Sequence, residues 1–229
     1  TVENIPVEVF TYCHQQQDLI AIKVISPLLK ENRLHIRLRF PYPNGDFKDA
    51  GTNWTNNEKH SSVFVKGNNG GVIKRTLDST KYYVALQWKG KAIVQQKQKH
   101  DFIVKPDATA VFELTCSFSS KNDQKILPSY DQTAINSKQQ WERFWQSGGA
   151  VDLSGNTDPK AFELERRIVL SQYLTKIQCA GDYPPQETGL TYNSWYGKPH
   201  LEMHWWHGIH FALWGRIELL EKSLSWYKK

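Results

Sequence analysis

The chain changes its hydrophobic period once, near residue 120, and that change limits the fold more than any single motif. From Val2 to Ser119 apolar residues recur at every second position; Leu34, Ile36, Leu38 and Phe40, for example, alternate with His35, Arg37 and Arg39. Each such segment is a strand with one buried face. Similar runs cover Val7 to Tyr12, Leu19 to Ile25, Val63 to Val65, Tyr82 to Trp88 and Val111 to Phe118. Asn44-Gly45, Asn68-Asn69-Gly70-Gly71 and Lys89-Gly90 stand where hairpins are expected to reverse. About eight to ten strands in this length predict an antiparallel β-sandwich.

Beyond Lys121 the period lengthens. Ile135, Trp141, Phe144 and Trp145 fall at helical intervals, and Gly148-Gly149 ends the run, which predicts a linker helix over 131–146. Asp158-Pro159 reads as an N-cap followed by proline at the first helical position. Phe162, Val169, Leu170, Tyr173, Leu174 and Ile177 carry that helix to Gly181. After a polar and aromatic loop, Pro199 opens a last helical stretch through Trp214 and Leu220. The expected division is a β-sandwich over 1–125, a linker with its helix over 126–157, and a helical segment over 158–229.

With 229 residues, 39% of them hydrophobic and 23% charged, the chain can bury a core. No apolar run approaches the roughly 20 residues of a membrane span. The net charge of +6 sits in residues 1–130, which hold 18 Lys and Arg against 12 acids. It is spread along alternating strands with no Gly-aromatic signature, so a solvated sheet face is expected and no nucleic-acid partner. The stretch from Pro41 to Ser62 is long and polar around Trp54, and reads as a loop that reaches toward something. Cys13, Cys116 and Cys179 form no C-x-x-C pair. Three buried thiols are expected; a Cys13–Cys116 bridge would need their strands to be neighbours.

Seven of the nine tryptophans follow residue 140. Between residues 183 and 206, Tyr183, Tyr192, Trp195, Tyr196, Trp205 and Trp206 are interleaved with Glu187, Asn193, His200, Glu202 and His204. A sugar site wants this mixture: flat rings cover apolar C–H faces, while carboxylates, amides and imidazoles satisfy hydroxyls stripped of water. Trp205, Trp206, Phe211 and Trp214 lie at helical spacing, where packing is the expectation for most. The loop residues around Tyr192 and Trp195 are harder to assign to a core, because a loop exposing aromatic area normally covers something. His200, His204 and His207 share a helical face, but no H-E-x-x-H pattern accompanies them, so no metal is expected.

Glu163-Leu164-Glu165-Arg166-Arg167-Ile168 leads into Ser171-Gln172-Tyr173, and Gly197-Lys198-Pro199-His200-Leu201-Glu202-Met203-His204-Trp205-Trp206 follows. Behind a sandwich and a linker helix ending in Gly-Gly, these segments resemble the start of the catalytic domain of bacterial six-hairpin, or (α/α)6-barrel, glycoside hydrolases. In that superfamily the corresponding loop carries Gly-His-x-Phe-Trp-Asp-Thr-Glu and lines a sugar subsite. Gly197 matches the motif's glycine and Glu202 its first carboxylate; His204 replaces the final acid, and His200-Leu201 stands where the family has Phe-Trp.

The resemblance implies an α+β multi-domain fold: an N-terminal antiparallel β-sandwich, then the first helices of an (α/α)6 barrel. It implies a carbohydrate substrate contacted by Tyr192, Trp195, Glu202 and His204, no cofactor, and a periplasmic or secreted setting. A closed barrel needs twelve helices, whereas about 100 residues supply three or four. The chain is therefore expected to be the N-terminal portion of a longer glycoside hydrolase, inactive alone, whose partner is the C-terminal part of its own chain. A non-catalytic carbohydrate-binding protein, a zinc-dependent hydrolase and a partner-binding fragment are the rival readings.

Overall fold

The structure, a computed structural model, describes residues 1–122 and 126–228; the boundary expected at 125 lies outside the described residues. The chain divides into two compact units, one of 1–42 with 53–141, the other of 43–52 with 142–229.

The first unit is built of antiparallel strands. In chain order these are β1 (Glu8–Cys13), β2 (Leu19–Ile25), a one-turn helix α1 (Pro27–Lys30), then β3 (Ile36–Arg39), β4 (His60–Gly67), β5 (Gly70–Leu77) and β6 (Thr80–Trp88). Next come β7 (Ala92–Gln98), β8 (Asp101–Pro106) and β9 (Val111–Ser119). One sheet has the order β1-β2-β9-β6-β5-β4 and the other β3-β8-β7. Both contribute to one hydrophobic core: Val24, Ile73, Val84, Leu86, Phe112 and Leu114 from the larger sheet meet Phe102 and Val104 from the smaller, with Leu29 of α1. This is the layered arrangement that alternating apolar faces require. Within α1, Pro27 takes the first position and the Ser26 hydroxyl accepts from the Leu28 amide at 3.3 Å.

The turns differ from expectation in instructive ways. Asn68-Asn69 does close the β4–β5 hairpin, with Asn69 at φ 51°. A second tight hairpin forms at Asp78-Ser79, where Asp78 takes φ 49°. Lys89-Gly90, expected to reverse a hairpin, instead carries the chain from β6 in one sheet to β7 in the other. The thiols also depart from expectation: Cys116 is buried and its pKa pushed up to about 12 by burial, but Cys13 is exposed and Cys179 half-buried. Cys13 and Cys116 both face Ile20 across β2. Two strand spacings of about 4.8 Å separate them, beyond disulfide reach.

The helix α2 (Tyr130–Gln146) carries the chain from the first unit into the second. In the second unit α3 (Ala161–Cys179), α4 (Leu201–Leu213) and α5 (Glu218–Leu224) follow. Asp158 does not cap α3; its carboxylate and carbonyl receive the Lys160 and Ala161 amides in a turn just before the helix begins. The last helical stretch is broken into α4 and α5 because Gly215 turns left-handed at φ 70°, which brings Arg216 inward.

Arg216 organises this unit. Fully buried, its guanidinium lies 4.0 Å over the Phe144 ring and donates to the carbonyls of Phe144 (2.9 Å) and Ser147 (2.6 Å) and to Gln172 Oε1 (2.8 Å). A cation thus satisfies carbonyls left open where α2 ends. Gln172 Nε2 donates to Gly149 O (2.8 Å), and the Gly149 amide to Trp214 O (2.7 Å). Gly148 sits at φ 63° with the Trp214 carbonyl where a Cβ would go, so only glycine fits.

Many apolar residues of α3 are exposed: Phe162, Leu164, Val169, Leu170, Tyr173, Leu174 and Ile177. Trp205 and Trp206, expected for the most part to pack, are more than half exposed, while Phe211 on the same helix is fully buried.

Candidate functional site: an aromatic loop

The loop from Pro184 to Pro199 is ordered by its own polar side chains. Gln186 Nε2 (3.2 Å) and Thr188 Oγ1 (2.5 Å) both donate to the Tyr192 carbonyl. Gln186 Oε1 accepts from the Ser194 amide (3.3 Å), and the Ser194 hydroxyl, 2% exposed, meets Thr188 Oγ1 at 3.1 Å. Gln186 also bridges to Pro199 at the loop's far end. With its backbone held this way, the loop presents Tyr192, Trp195 and Tyr196 as exposed rings.

Three consecutive residues at its tip are left-handed: Trp195 (φ 49°), Tyr196 (φ 58°) and Gly197 (φ 68°). For Gly197 this is unstrained, and a Cβ there would meet Asn193 Oδ1 at 2.7 Å. For two bulky aromatics it costs of order 1–3 kcal/mol each and persists only where surrounding structure over-determines it. Here the over-determination comes from 43–52. Phe47 packs edge-on against Trp195 (centroids 4.6 Å) and Tyr196 (5.6 Å), and its carbonyl accepts from the Tyr196 amide at 3.2 Å. Asp49 is buried; its carboxylate receives the amides of Asn44 (2.6 Å) and Gly51 (2.8 Å), and its own amide donates to Asn193 O (3.3 Å). The ten-residue excursion is thereby folded into a clip behind the tip.

The residues expected to touch a ligand are placed as follows. Tyr192 and Trp195 are each 49% exposed, on one loop. Glu202 is exposed in the first turn of α4, where free amides and the helix dipole favour a carboxylate. His204 turns the other way. Only 5% exposed, it engages Tyr227 Oη through Nδ1 (2.7 Å) and Ser223 Oγ through Nε2 (2.8 Å), and stacks on the Tyr227 ring. Burial and the neighbouring His207 hold its pKa below the usual imidazole value. With both nitrogens engaged, His204 props α4 against α5 from beneath. His207 is also depressed by burial, its Nδ1 buried with no partner among the described residues. His200 is exposed at the N-cap and His210 stacks on Trp214, so the histidines point to different surroundings. Among the described residues no group of three His, Cys, Asp or Glu is placed to hold a metal ion.

Phe47, Asp49 and Gln186 are site residues that the sequence did not single out. One signal was there: Phe47 is the only large apolar residue between positions 43 and 52, and Asp49-Ala50-Gly51 has the make-up of an Asx turn.

No family model matches the sequence, and no curated protein matches it. Among solved structures, one named "Putative kojibiose phosphorylase from human microbiome" is similar at TM-score 0.31 with 9% identity, over 78% of this chain and 23% of its own. The chain thus spans under a quarter of that protein's length, and a likeness so remote assigns neither fold nor activity.

Proposed function

We propose that the chain is the sugar-positioning, N-terminal portion of a glycoside-processing enzyme of the six-hairpin kind, and that the loop carrying Tyr192, Trp195 and Tyr196 holds a sugar ring. One observation carries this reading. Two exposed aromatics are kept in left-handed backbone by a clip whose only large apolar side chain, Phe47, is spent supporting them. Strain maintained on the outside of a unit is what a binding surface needs and a packing surface does not. Trp195 and Tyr192 would cover a sugar's C–H faces, while the Glu202 carboxylate takes hydroxyl hydrogens as an acceptor. His204 contributes by fixing the first turns of α4 rather than by touching sugar. The segment supplies orientation, and the proton-transferring carboxyls belong to other parts of the enzyme.

The open apolar face of α3 supports the same reading. Six exposed apolar side chains on one side of that helix, Phe162, Val169, Leu170, Tyr173, Leu174 and Ile177, form the kind of surface over which further helices pack in an all-helical barrel. Calorimetric titration with a panel of neutral oligosaccharides tests the proposal: at least one is expected to bind, and failure of the whole panel overturns it. Binding by the complete protein without any turnover would favour the non-catalytic carbohydrate-binding reading.

A further inference from the structure

Arg75 is fully buried on β5, and among the described residues no carboxylate pairs with it. Its hydrogen bonds go to neutral groups: Tyr82 Oη (3.2 Å), Ser61 O (3.1 Å), Ser62 Oγ (2.6 Å), His60 Nδ1 (2.8 Å) and His100 Nδ1 (3.3 Å). The two imidazoles, both buried, stack at 3.5 Å.

The partners fix the protons. His100 Nε2 lies 2.9 Å from the Asn57 carbonyl, which only accepts, so Nε2 carries the hydrogen and the Nδ1 lone pair faces Arg75 and Ser62. His60 likewise offers its Nδ1 lone pair to Arg75, which only donates. The next proton on either ring must therefore go to Nδ1, aiming an N–H at a guanidinium N–H inside a buried site. Among the described residues the nearby carboxylates are already engaged. Glu58 is paired with Lys99, Asp101 with Arg37, and Asp78 accepts from Tyr42, over whose ring Lys59 also lies.

Both stems of the 43–52 excursion are tied to this cluster. On the incoming side the Phe40 amide donates to His100 O (3.0 Å), the Phe40 ring lies 4.8 Å from the Arg75 guanidinium, and the Tyr42 ring is 5.5 Å from His60. On the outgoing side Asn57 O is held by His100, and His60 itself starts β4. The Tyr42 amide closes the neck by donating to Asn53 O at 3.0 Å.

We propose that His60, Arg75 and His100 form an acid-released latch on the neck of the excursion: protonating the imidazoles repels the Arg75 guanidinium from their Nδ1 edges and frees the stems that lead to Phe47. The consequence for the aromatic loop rests on the proposed function; the latch itself does not.

The test reads the stems directly, without sugar. Amide hydrogen exchange of the whole chain, corrected for intrinsic rate, is compared at about pH 7.5 and about pH 3.5, below the value of about 4 to which burial lowers His60. Protection of 53–60 is expected to fall at least about fivefold relative to the β5, β6 and β9 amides. In the double variant His60→Asn, His100→Gln, whose amides offer comparable hydrogen bonds but do not titrate, that fall is expected to disappear. Histidine NMR titration of the unsubstituted chain needs no variant to fold, and both rings are expected to titrate below their ordinary value. Stem protection that ignores pH, a fall equally large in the variant, or either ring titrating at or above about 6.5 would overturn the latch.

Discussion

The guanidinium of Arg216 donates to Oε1 of Gln172 at 2.8 Å, both side chains almost wholly buried, and through Gln172 Nε2 the contact continues to the Gly149 carbonyl. This relay joins the end of α2, the middle of α3 and the α4–α5 turn. Arg216→Met keeps much of the volume and the contact with Phe144 but takes the guanidinium donors from the Ser147 carbonyl and Gln172 Oε1, and leaves the Phe144 carbonyl with the Ser147 hydroxyl. It is expected to destabilise the second unit by about 3–5 kcal/mol, measured by urea unfolding. Gly148→Ala should cost at least about 1 kcal/mol, because it adds a Cβ where the Trp214 carbonyl stands and forces alanine to a positive φ.

Acidification is expected to destabilise the first unit in a defined window. The folded state holds the pKa of His60 down to about 4, chiefly by burial and then by His100 and Arg75, and lowers that of His100. Above about 6.5 neither folded nor unfolded imidazoles bind a proton and the native state has its full stability. As pH falls below that value the unfolded chain takes up protons that the folded chain refuses, so stability drops until the folded pKa is reached. For His60 the loss should approach about 3 kcal/mol, read as a lower denaturation midpoint at about pH 4.5 than at pH 7.

Thiol labelling should separate the cysteines. Cys13, exposed on the edge strand β1, is expected to react with a small disulfide reagent in the native state. Cys116, buried with its thiol pushed up to about 12, should react only on unfolding. Equal native rates would contradict the placement of β9 inside the larger sheet.

The clip behind the aromatic loop makes a separate prediction. Asp49→Ala removes the acceptor for the Asn44 and Gly51 amides, and Phe47→Ala removes the ring behind Trp195 and Tyr196. Both are expected to leave the β-sheet signal intact while lowering saccharide affinity by roughly tenfold, about 1.4 kcal/mol, through a misplaced loop. A drop in affinity with no change in the near-ultraviolet signal of the tryptophans would argue against positioning.

Alternation made most of the first unit legible, because a strand with one wet face writes its period into the sequence. β5 was not individually legible, since its pattern is interrupted by a buried Arg75 whose side-chain partners, two histidines and two hydroxyls, are scattered from His60 to His100. Helical spacing located α2, α3 and α4, but spacing reports which residues share a face and not whether anything covers it; hence Trp205 and Phe211 read alike and differ in exposure. His204 was legible as a residue of interest and not in its role, because Ser223 and Tyr227 lie 19 and 23 positions away. The joining of 43–52 to the aromatic loop depends on a tertiary contact that neither segment announces alone.

Paired titrations of Trp195→Ala and Trp205→Ala with an oligosaccharide that binds the unsubstituted chain test the central claim most directly. Both tryptophans are exposed, one on the clipped loop and one on α4. Binding is expected to weaken at least about tenfold in Trp195→Ala and to stay within about twofold in Trp205→Ala. Unchanged affinity in Trp195→Ala, or a loss confined to Trp205→Ala, would show that the sugar does not sit on this loop.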